Sequence, residues 1–374
     1  MADAALGLDD LAGVDDHPLV RAAGDLAAGL LVPEAERVDV EGVPAAHVAA
    51  LAGAGLLGVR GPVEAGGADA EPPVVRRVTE ILSGACGATW FVWTQHASPL
   101  GALAGSANTG LRERWLAPLC SDTLGGVAVA HLRRSGGATV RARPACDGAD
   151  QAGGWVLDGT AVWVTSWGLA DVLLVGAVTP DDQAVLALVP ARAAPGVRPS
   201  APLALAAMEA TVTVRLEFDG YVVAPGDVVE VVSLGDWRRA DADKTANVTP
   251  AVFGLTATVV ARLEEASRRR DEPGGVALAR ALGAEAAEVR AAAYHLLDQV
   301  PAAEAIDERL ALRAHALELG VRAATALVAA AGGAGMARSS APQRLAREAL
   351  FHLVQAQTAP VRRATLARLG EVGP

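Results

Sequence analysis

An indole ring and two small hydroxyls lie close together in the chain, at Trp163, Thr165 and Ser166. They belong to residues 155–171, where apolar and polar residues alternate on either side of an Asp-Gly pair at 158–159. That pattern predicts a β-hairpin with its turn at the Asp-Gly pair. An indole beside hydroxyls can pack on a planar ring and hydrogen-bond a heteroatom at its edge. The plainer interpretation is a half-buried strand pair with a core tryptophan.

Composition limits the classes of protein to which this chain can belong. Its 374 residues, 52% of them hydrophobic, favour a globular protein of two or three domains. The formal net charge of -11 argues against nucleic-acid binding, because phosphate contacts need clustered lysine and arginine. The longest alanine-rich apolar run, residues 323–337, is too short to span a bilayer, so we expect no membrane segment. The acidic start shows no secretory signal, and we expect a cytoplasmic protein.

The cysteines Cys86, Cys120 and Cys146 form no CxxC pair. They also give no even disulfide framework. We therefore expect free thiols in a reducing compartment, with no structural zinc and no other metal site.

The hydrophobic period changes twice along the chain. Residues 1–120 repeat apolar residues every three or four positions, which predicts a helical N-terminal domain. Residues 121–234 alternate with period two between turn-rich breaks, which predicts a middle β-domain. Residues 235–374 return to the helical period, which predicts an antiparallel four-helix bundle. The predicted helices include 19–31, 45–57, 250–270, 276–299, 302–331 and 342–369.

Local sequences add a family resemblance to this order of helices, strands and helices. Residues 111–119, LRERWLAPL, resemble the ERWLPPL helix of the acyl-CoA dehydrogenase superfamily. Residues 155–171 resemble its NGTKxWITN hairpin, and residues 332–369 resemble its GGxGY, RD and GT helices. The resemblance implies an α+β multidomain fold: an N-terminal helical domain, a middle antiparallel β-barrel-like domain and a C-terminal four-helix bundle.

The resemblance also implies a flavin cofactor. In the family, a tryptophan and a hydroxyl of the hairpin contact the flavin ring, and those positions fall on Trp163 and Thr165, with Ser166 beside them. The arginine that binds the adenylate half of FAD falls on Arg270. The threonine of the family's EGT motif falls on Thr358, which we also expect to contact the cofactor. A hydroxyl suits the N5 edge of the ring, because it donates and accepts hydrogen bonds without charge.

Departures from the family pattern predict weaker binding of the adenylate half of FAD. Pro273 replaces the stacking phenylalanine of RxxFG, Ala329 replaces a glutamine, and Met336 replaces the aromatic end of GGxGY. Stacking and hydrogen bonds are both lost at these positions. We therefore expect loosely bound FAD, or FMN in its place.

The largest departure concerns the family's proton acceptor. The glutamate of the EGT motif falls on Ala356, and a well-placed base contributes about 10²- to 10⁴-fold to the rate. Some family members carry that glutamate at the position of Lys244, the single lysine of the chain. Lys244, Asp243 and His131 are the candidates for a replacement base, with Asp241 beside them. A lysine could serve only if burial lowers its pKa, whereas acidic residues at a helix start are commonly caps and a histidine at a strand end is commonly structural.

A second branch of the superfamily, the two-component flavin monooxygenases, needs no such glutamate. Residues 338–347, RSSAPQRLAR, resemble its RSSPLQRxLRD tract more closely than the dehydrogenase version. Those enzymes take reduced flavin from a separate reductase, which suits weak adenylate binding. Against this interpretation, Gln355 stands where they usually carry a histidine. Trp90, Trp93 and His96 would suit an aromatic substrate wall, although such a helix face is commonly core.

Three functions stay open on the sequence. The first is desaturation of an acyl-CoA or carrier-protein thioester with a displaced base, with electrons passed to an acceptor. The second is oxygenation with a partner flavin reductase. The third is a non-catalytic subunit paired with a homologue that keeps the glutamate. We expect a homodimer or homotetramer, because the family builds its flavin site across subunits, and Arg270 would then serve a neighbour.

Overall fold

The structure is a computed structural model that describes residues 13–134, 136–145 and 154–371. Cys86 and Cys120 are buried free thiols, whereas Cys146 lies outside the described residues. The predicted domain boundaries, near residues 120 and 234, stay predictions.

Helices make up the N-terminal region, as predicted. At the start of the first helix, the His17 imidazole accepts a hydrogen bond from the Leu19 amide at 3.2 Å, which caps the helix. A π-helical turn, Ala27–Leu31, joins this helix to the next, so the predicted helix at 19–31 continues to Glu41. The helices of this region are α1 (Pro18–Leu26), α2 (Val32–Glu41), α3 (Ala45–Gly53), α4 (Pro72–Ala85), α5 (Gly87–Gln95), α6 (Ala97–Ala104) and α7 (Thr109–Ser121).

The middle region folds into one open, mixed sheet. Its strands are β1 (Gly125–Ala128), β2 (Val140–Pro144), β3 (Trp155–Val164), β4 (Val172–Val178), β5 (Gln183–Pro190), β6 (Val197–Pro199), β7 (Val214–Val223) and β8 (Val228–Ser233). The strand order in the described part of the chain is β6-β7-β3-β2-β4-β5-β8, with β1 beside β4.

The predicted antiparallel, barrel-like domain is wrong in two respects. Both β1 and β2 run parallel to β4, so the sheet is mixed. The sheet is also not a closed barrel, because its order runs from β6 to β8 without joining these two ends among the described residues. Strand β4, VLLVGAV, is buried along its whole length, which is typical of a strand that is covered on both faces.

The predicted hairpin at residues 155–171 is also wrong, because β3 is one continuous strand that pairs with β2 on one side and β7 on the other. Its Asp-Gly pair forms a bulge, with a register shift between Leu157 and Gly159. Gly159 has a φ of 123°, and a Cβ there would lie 2.0 Å from the Thr139 carbonyl oxygen. Only glycine fits this close backbone approach.

The C-terminal region is helical, as predicted, although its last helix is broken. Residues 353–358 separate two helices where the sequence predicted one over 342–369. The helix α9 packs against α10, α11 and α12, and α11 also packs against α13. The helices of this region are α8 (Leu234–Ala246), α9 (Pro250–Arg269), α10 (Pro273–Gln299), α11 (Ile306–Ala331), α12 (Ala341–His352) and α13 (Ala359–Gly370).

Glycines allow α4 of the N-terminal region to approach α9 of the C-terminal region closely. A Cβ on Gly254 would lie 2.0 Å from the Glu80 carbonyl oxygen, so the two backbones meet there. The Ser83 hydroxyl donates to the Ala251 carbonyl at 3.1 Å across the same contact. The helical regions are thereby joined directly, without the sheet between them.

Two helical stretches, Leu234–Arg269 and Ile306–Met336, are long and apolar enough to cross a membrane by length and composition. Of their most apolar windows, 67% and 33% are buried inside the protein. Buried core helices commonly meet the same criterion, so these stretches are weak evidence for a membrane span.

Candidate functional site

The chain turns sharply where β3 ends. Trp163 and Ser166 have φ values of 63° and 67°, and the pairing of β3 with β7 changes register between Ala161 and Val164. After the strand, the Ser166 amide donates to the Thr211 carbonyl at 2.9 Å. The irregular register turns the Trp163 indole outward, and 57% of this residue is exposed.

Small hydroxyls line the inner side of this turn. The Thr165 and Thr213 hydroxyl oxygens lie 3.2 Å apart, and the Thr211 hydroxyl donates to the Met208 carbonyl at 2.7 Å. The Ser166 side chain is fully buried, and its oxygen has no hydrogen-bond partner among the described residues. Because an unpaired buried hydroxyl is costly, this oxygen is a candidate contact for a ligand atom.

These features fit the flavin that the family resemblance implies. The exposed indole of Trp163 offers a flat apolar face, and the hydroxyls of Thr165 and Ser166 can donate to or accept from the edge of a ring. The structure therefore brings the three predicted residues together, while their contact with flavin stays a prediction. It adds Thr211 and Thr213, which sequence reasoning missed although their Thr-x-Thr spacing comes just before β7.

Arg270 lies at the end of α9, beside a surface pocket of about 320 Å³. Its guanidinium donates to the Ala331 carbonyl at 2.9 Å, and Arg262 and Arg269 line the same pocket. Guanidinium groups can bind the pyrophosphate of FAD, and Arg269 here also pairs with Glu265 of the same pocket at 3.2 Å. No aromatic side chain lies among the described residues that line the pocket, and Met336 is 67% exposed. The expected loss of stacking on the adenine stays a prediction.

The break between α12 and α13 contains the predicted base position. Ala356 has a φ of 48°, and the Gln355 carbonyl before it accepts a hydrogen bond from Arg313 at 2.8 Å. Arg313 also donates to the Thr245 carbonyl at the end of α8. Arg313 thus connects both places where family members carry the glutamate. Thr358 caps α13, with its hydroxyl accepting from the Val361 amide at 3.5 Å, and its contact with a cofactor stays a prediction.

Charged side chains surround this connection between α8 and the break. The Asp241 carboxylate accepts two hydrogen bonds from Arg133, both 2.7 Å long. Burial and the positive charges of Arg60 and Arg133 lower the pKa of Lys244, and Asp241 opposes them. Burial and the charge of Arg133 lower the pKa of Arg313 to about 10.

Of the other candidate bases, His131 faces into the sheet and Asp243 lies on α8. His131 is fully buried, its Nε2 lies 3.0 Å from the Gly176 carbonyl oxygen, and burial lowers its pKa to about 4. The Asp243 carboxylate makes no hydrogen bond or ion pair with a described residue, and its carbonyl accepts from Asn247 at 3.1 Å. His131 thus lies in the helical turn Ala130–Arg133 that follows β1, as a buried imidazole in contact with a backbone carbonyl.

The aromatic side chains of α5 belong to the core. Trp90 is 1% exposed, and its ring lies 5.3 Å from that of His352 at an angle of 39°, while Trp93 donates to the Leu56 carbonyl at 2.8 Å. His96 accepts from the Gly125 amide at 2.9 Å, so it links α6 to β1. The Trp90 indole nitrogen has no hydrogen-bond partner among the described residues. The sequence missed His352, whose imidazole lies at the end of α12 in the interior.

One described cluster has the geometry of a metal site, on the facing sides of α10 and α11. Glu285, His315 and Glu318 each offer a ligand atom within 4.8 Å of the others. Arg322 already pairs with both carboxylates, at 2.6 and 3.0 Å. We therefore interpret the cluster as an ion-pair network that joins the two helices.

The arrangement of helices, mixed sheet and helices defines the fold of the acyl-CoA dehydrogenases. The chain superposes on butyryl-CoA dehydrogenase from Megasphaera elsdenii with a TM-score of 0.72 and 16% identity, covering 96% of this chain and 99% of that one. It superposes on dibenzothiophene monooxygenase from Paenibacillus sp. A11-2 with a TM-score of 0.72 and 21% identity, covering 95% and 97%. At these identities, the likeness concerns the fold alone.

Sequence comparison finds a family match in the N-terminal region. Residues 15–123 match the acyl-CoA dehydrogenase N-terminal domain family. The human mitochondrial short-chain specific acyl-CoA dehydrogenase is 30% identical over 167 residues, which are 43% of this chain and 39% of that protein. The matched segment thus covers about two fifths of the relative's length. The predicted resemblance to the acyl-CoA dehydrogenase superfamily is confirmed.

Proposed function

We propose that this chain is a flavin-dependent oxidoreductase that oxidises an acyl thioester between Cα and Cβ. The observation that carries the proposal is the exposed Trp163 indole beside the buried, unpartnered Ser166 hydroxyl. A flat apolar face and an unpaired polar atom at one strand end are what a planar heteroaromatic cofactor needs. When bound, the flavin would supply the hydride acceptor. Trp163 would hold the face of the ring, and Thr165 and Ser166 its edge.

The proposed cofactor is FAD, held loosely, or FMN. Arg262, Arg269 and Arg270 would bind phosphate, while the pocket around them supplies no aromatic side chain for adenine. The pocket lies on the surface of the chain, which suits a cofactor that reaches it from a second copy. We therefore include a homodimer or homotetramer in the proposal, with Arg270 serving the neighbouring subunit.

The proton that leaves Cα needs an acceptor other than residue 356. Alanine has no group that accepts a proton, and Asp241 is already paired with Arg133. His131 is fully buried, which leaves Asp243 and Lys244 on α8 among the predicted candidates. Desaturation thus requires a displaced base.

A second candidate function is that of a two-component flavin monooxygenase with a partner reductase. It is favoured by the same site, because Ala356 carries no acid and the Asp241 carboxylate is occupied by Arg133. Oxygenation with reduced flavin does not depend on a carboxylate at residue 356. A non-catalytic subunit beside a glutamate-bearing homologue would also tolerate Ala356.

Two assays of the purified protein, one without oxygen and one with oxygen and reduced flavin, separate the enzymatic functions. The purified protein is first tested for bound flavin, which is identified after denaturation, and is then titrated with butyryl-CoA without oxygen. Bleaching of the flavin absorbance supports desaturation. Product formed only with externally reduced flavin and oxygen supports the monooxygenase instead. A colourless protein that binds neither FAD nor FMN, alone or with a reductase, rules out both enzymatic functions.

Restoring the acid at residue 356 tests the thioester pocket directly. Ala356→Glu should raise the rate of acyl-CoA-dependent flavin reduction by about 10²-fold or more, if the pocket holds Cα beside this residue. The matched control is Val354→Glu, which adds the same charge at a position that is 61% exposed. An equal rate in both variants would count against a thioester beside Ala356.

A further inference from the structure

Three threonine hydroxyls lie in a row behind the sharp turn at the end of β3, and we call them the hydroxyl row (Thr165, Thr213 and Thr211). The Thr213 oxygen stands in the middle, 3.2 Å from the Thr165 oxygen and 3.5 Å from the Thr211 oxygen. All three residues are buried. Within the described part of the chain, the Thr165 hydroxyl has Thr213 as its one hydrogen-bond partner. What the Thr165 hydroxyl offers to a ligand therefore depends on Thr213.

The far end of the hydroxyl row is fixed to the backbone. The Thr211 hydroxyl donates to the Met208 carbonyl at 2.7 Å, so its one proton is already used. Its oxygen can still accept, because a hydroxyl combines one proton with two lone pairs. Only the protons of Thr165 and Thr213 remain to be placed, and two arrangements are open to them.

The two arrangements present opposite groups to a ligand. In one, Thr213 donates to Thr165, whose own proton is then free to donate to a ligand atom. In the other, Thr165 donates to Thr213 and Thr213 donates to Thr211, which leaves the Thr165 oxygen free to accept. The change requires only rotation of O–H bonds, and it buries no charge. The hydroxyl row can thus bind an acceptor or a donor at the same point.

A strained backbone holds the hydroxyl row in place. Val212, between Thr211 and Thr213, has a φ of 49°, which a β-branched residue rarely adopts. Its carbonyl accepts from the Trp167 amide at 3.2 Å, and the Thr211 carbonyl accepts from the Ser166 amide at 2.9 Å. These bonds tie the strained segment to the chain that follows β3. Strain of this kind persists where the surrounding structure enforces it, commonly at ligand sites.

We propose that Thr213 is a positioning residue for the flavin, because it lets the Thr165 hydroxyl donate to the oxidised ring and accept from the reduced ring. This inference rests on the proposed flavin site. The nitrogen at the ring edge is an acceptor in oxidised flavin and carries a proton in reduced flavin, so it becomes a donor. Thr213 acts through Thr165, and Thr211 ends the hydroxyl row on a backbone carbonyl.

Replacing Thr213 by valine should disfavour the reduced flavin selectively. In Thr213→Val, the Thr165 proton can still go to oxidised flavin, so binding of the oxidised form should change little. Reduced flavin requires Thr165 to accept, and the Thr165 proton is then buried without an acceptor, which is unfavourable. We expect reduced flavin to bind about tenfold more weakly, which lowers the two-electron midpoint potential of the bound flavin by about 30 mV.

The test uses FAD and FMN and needs no acyl substrate. Oxidised flavin is titrated into the apoprotein, and the midpoint potential of the bound flavin is then measured anaerobically against a reference dye. Thr213→Ser keeps the hydroxyl and should keep the wild-type potential. The matched control, Thr256→Val, removes a buried hydroxyl that donates to the Val252 carbonyl of its own helix, and it should leave the potential unchanged. A merely structural role of Thr213 would weaken both forms of the flavin equally.

A measurement without flavin tests the hydroxyl row itself. Urea unfolding of the apoprotein is compared for the wild type, Thr165→Val, Thr213→Val and the double variant. If the two hydroxyls bond to each other, the double variant loses less stability than the sum of the single variants. We expect this coupling to be about fivefold in the unfolding equilibrium constant.

Either of two results overturns the inference. One is additive effects of Thr165→Val and Thr213→Val on unfolding. The other is a midpoint potential in Thr213→Val that equals the wild-type value or moves no further than in Thr256→Val. A wild type that binds neither FAD nor FMN overturns the proposed function and this role of Thr213 together. Bound flavin that butyryl-CoA fails to bleach, with the potential of Thr213→Val lowered as expected, counts against desaturation alone.

Discussion

Two of the residues that we assign to the flavin have a strained backbone. Trp163 and Ser166, on either side of Thr165, both have positive φ, which non-glycine residues rarely adopt. Each such residue costs on the order of 1–2 kcal/mol, so the surrounding hydrogen bonds must hold it in place. The Ser166 amide bond to Thr211 does so here. The strain turns an indole to the surface and a hydroxyl into the interior, which suits a ligand that touches both.

Replacing Thr165 by valine tests the edge of the proposed flavin site. Valine keeps the shape of the side chain and removes its hydroxyl, so a bound flavin would lose a hydrogen bond worth about 1 kcal/mol. We expect about fivefold weaker flavin binding and a shifted absorbance spectrum, both measured by titration of the apoprotein. Thr160→Val, on the same strand, is the control and should change neither. If Thr165→Val binds flavin with unchanged affinity and spectrum, the assignment of Thr165 is wrong.

Residue types predicted part of this site, and long-range contacts decided the rest. Trp163, Thr165 and Ser166 could be predicted because they are neighbours in sequence and carry the right groups. Arg313 could not, because its role depends on a bond to Gln355, which is 42 residues away.

Periodicity predicted the helical and strand regions correctly, whereas two connections between elements were predicted wrongly. The apolar period continues through residues 353–358, which is why one helix was predicted over 342–369. The signal for a break was Thr358 followed by Pro360, an N-cap residue and a proline in the first turn of α13. The Asp-Gly pair at 158–159 was the second misprediction, since it was expected to form a hairpin turn. The Asp158 carboxylate accepts from the Gly220 amide at 2.8 Å, so it ties β3 to β7 and forms no turn of its own.

The strained backbone in the break between α12 and α13 can be tested by its effect on stability. Ala356 holds a φ of 48°, which glycine adopts without steric cost, so Ala356→Gly should stabilise the fold by about 1 kcal/mol. The same change at Ala367, an exposed position of α13, should destabilise it by about 1 kcal/mol. Urea unfolding followed by circular dichroism measures both. Destabilisation by Ala356→Gly would show that residue 356 does not hold a left-handed conformation.

At the scale of the whole molecule, a buried ionic cluster fastens the N-terminal helices to the C-terminal helices. Glu80 of α4, 2% exposed, accepts hydrogen bonds from Arg290 at 2.6 and 3.0 Å and from the Tyr294 hydroxyl at 2.6 Å. Arg76 and Arg290 each lie over the Tyr294 ring, 4.6 and 4.7 Å from its centre. The cluster sits where α4 meets the bundle, so it fixes the angle at which the two regions meet.

Removing the charge of Glu80 should therefore lower the free energy of unfolding far more than removing a surface charge. Glu80→Gln keeps the shape but leaves the Arg290 guanidinium buried without a counter-charge, and we expect a loss of about 3 kcal/mol. Glu217→Gln removes a charge that pairs with Arg198 in solvent and should cost less than about 1 kcal/mol. Urea unfolding measures both free energies. Similar losses in the two variants would mean that the cluster contributes little to the joint between the regions.

Buried histidines in different parts of the fold make the stability of the protein depend on pH. Burial lowers the pKa of His96 and of His131 to about 4, and burial with the charge of Arg313 lowers that of His352 to about 3. Below pH 6.5 the unfolded chain binds protons at these residues and the folded chain does not. The free energy of unfolding therefore falls with falling pH, by about 1.4 kcal/mol per pH unit for each histidine.

His352→Phe should make this decline between pH 6.5 and 4.5 shallower by about one proton, because phenylalanine keeps the ring beside Trp90 and binds no proton. The control is Phe351→Leu, which should lower stability equally at every pH, and urea unfolding across this range measures both. An unchanged slope in His352→Phe would mean that the folded protein takes up this proton readily.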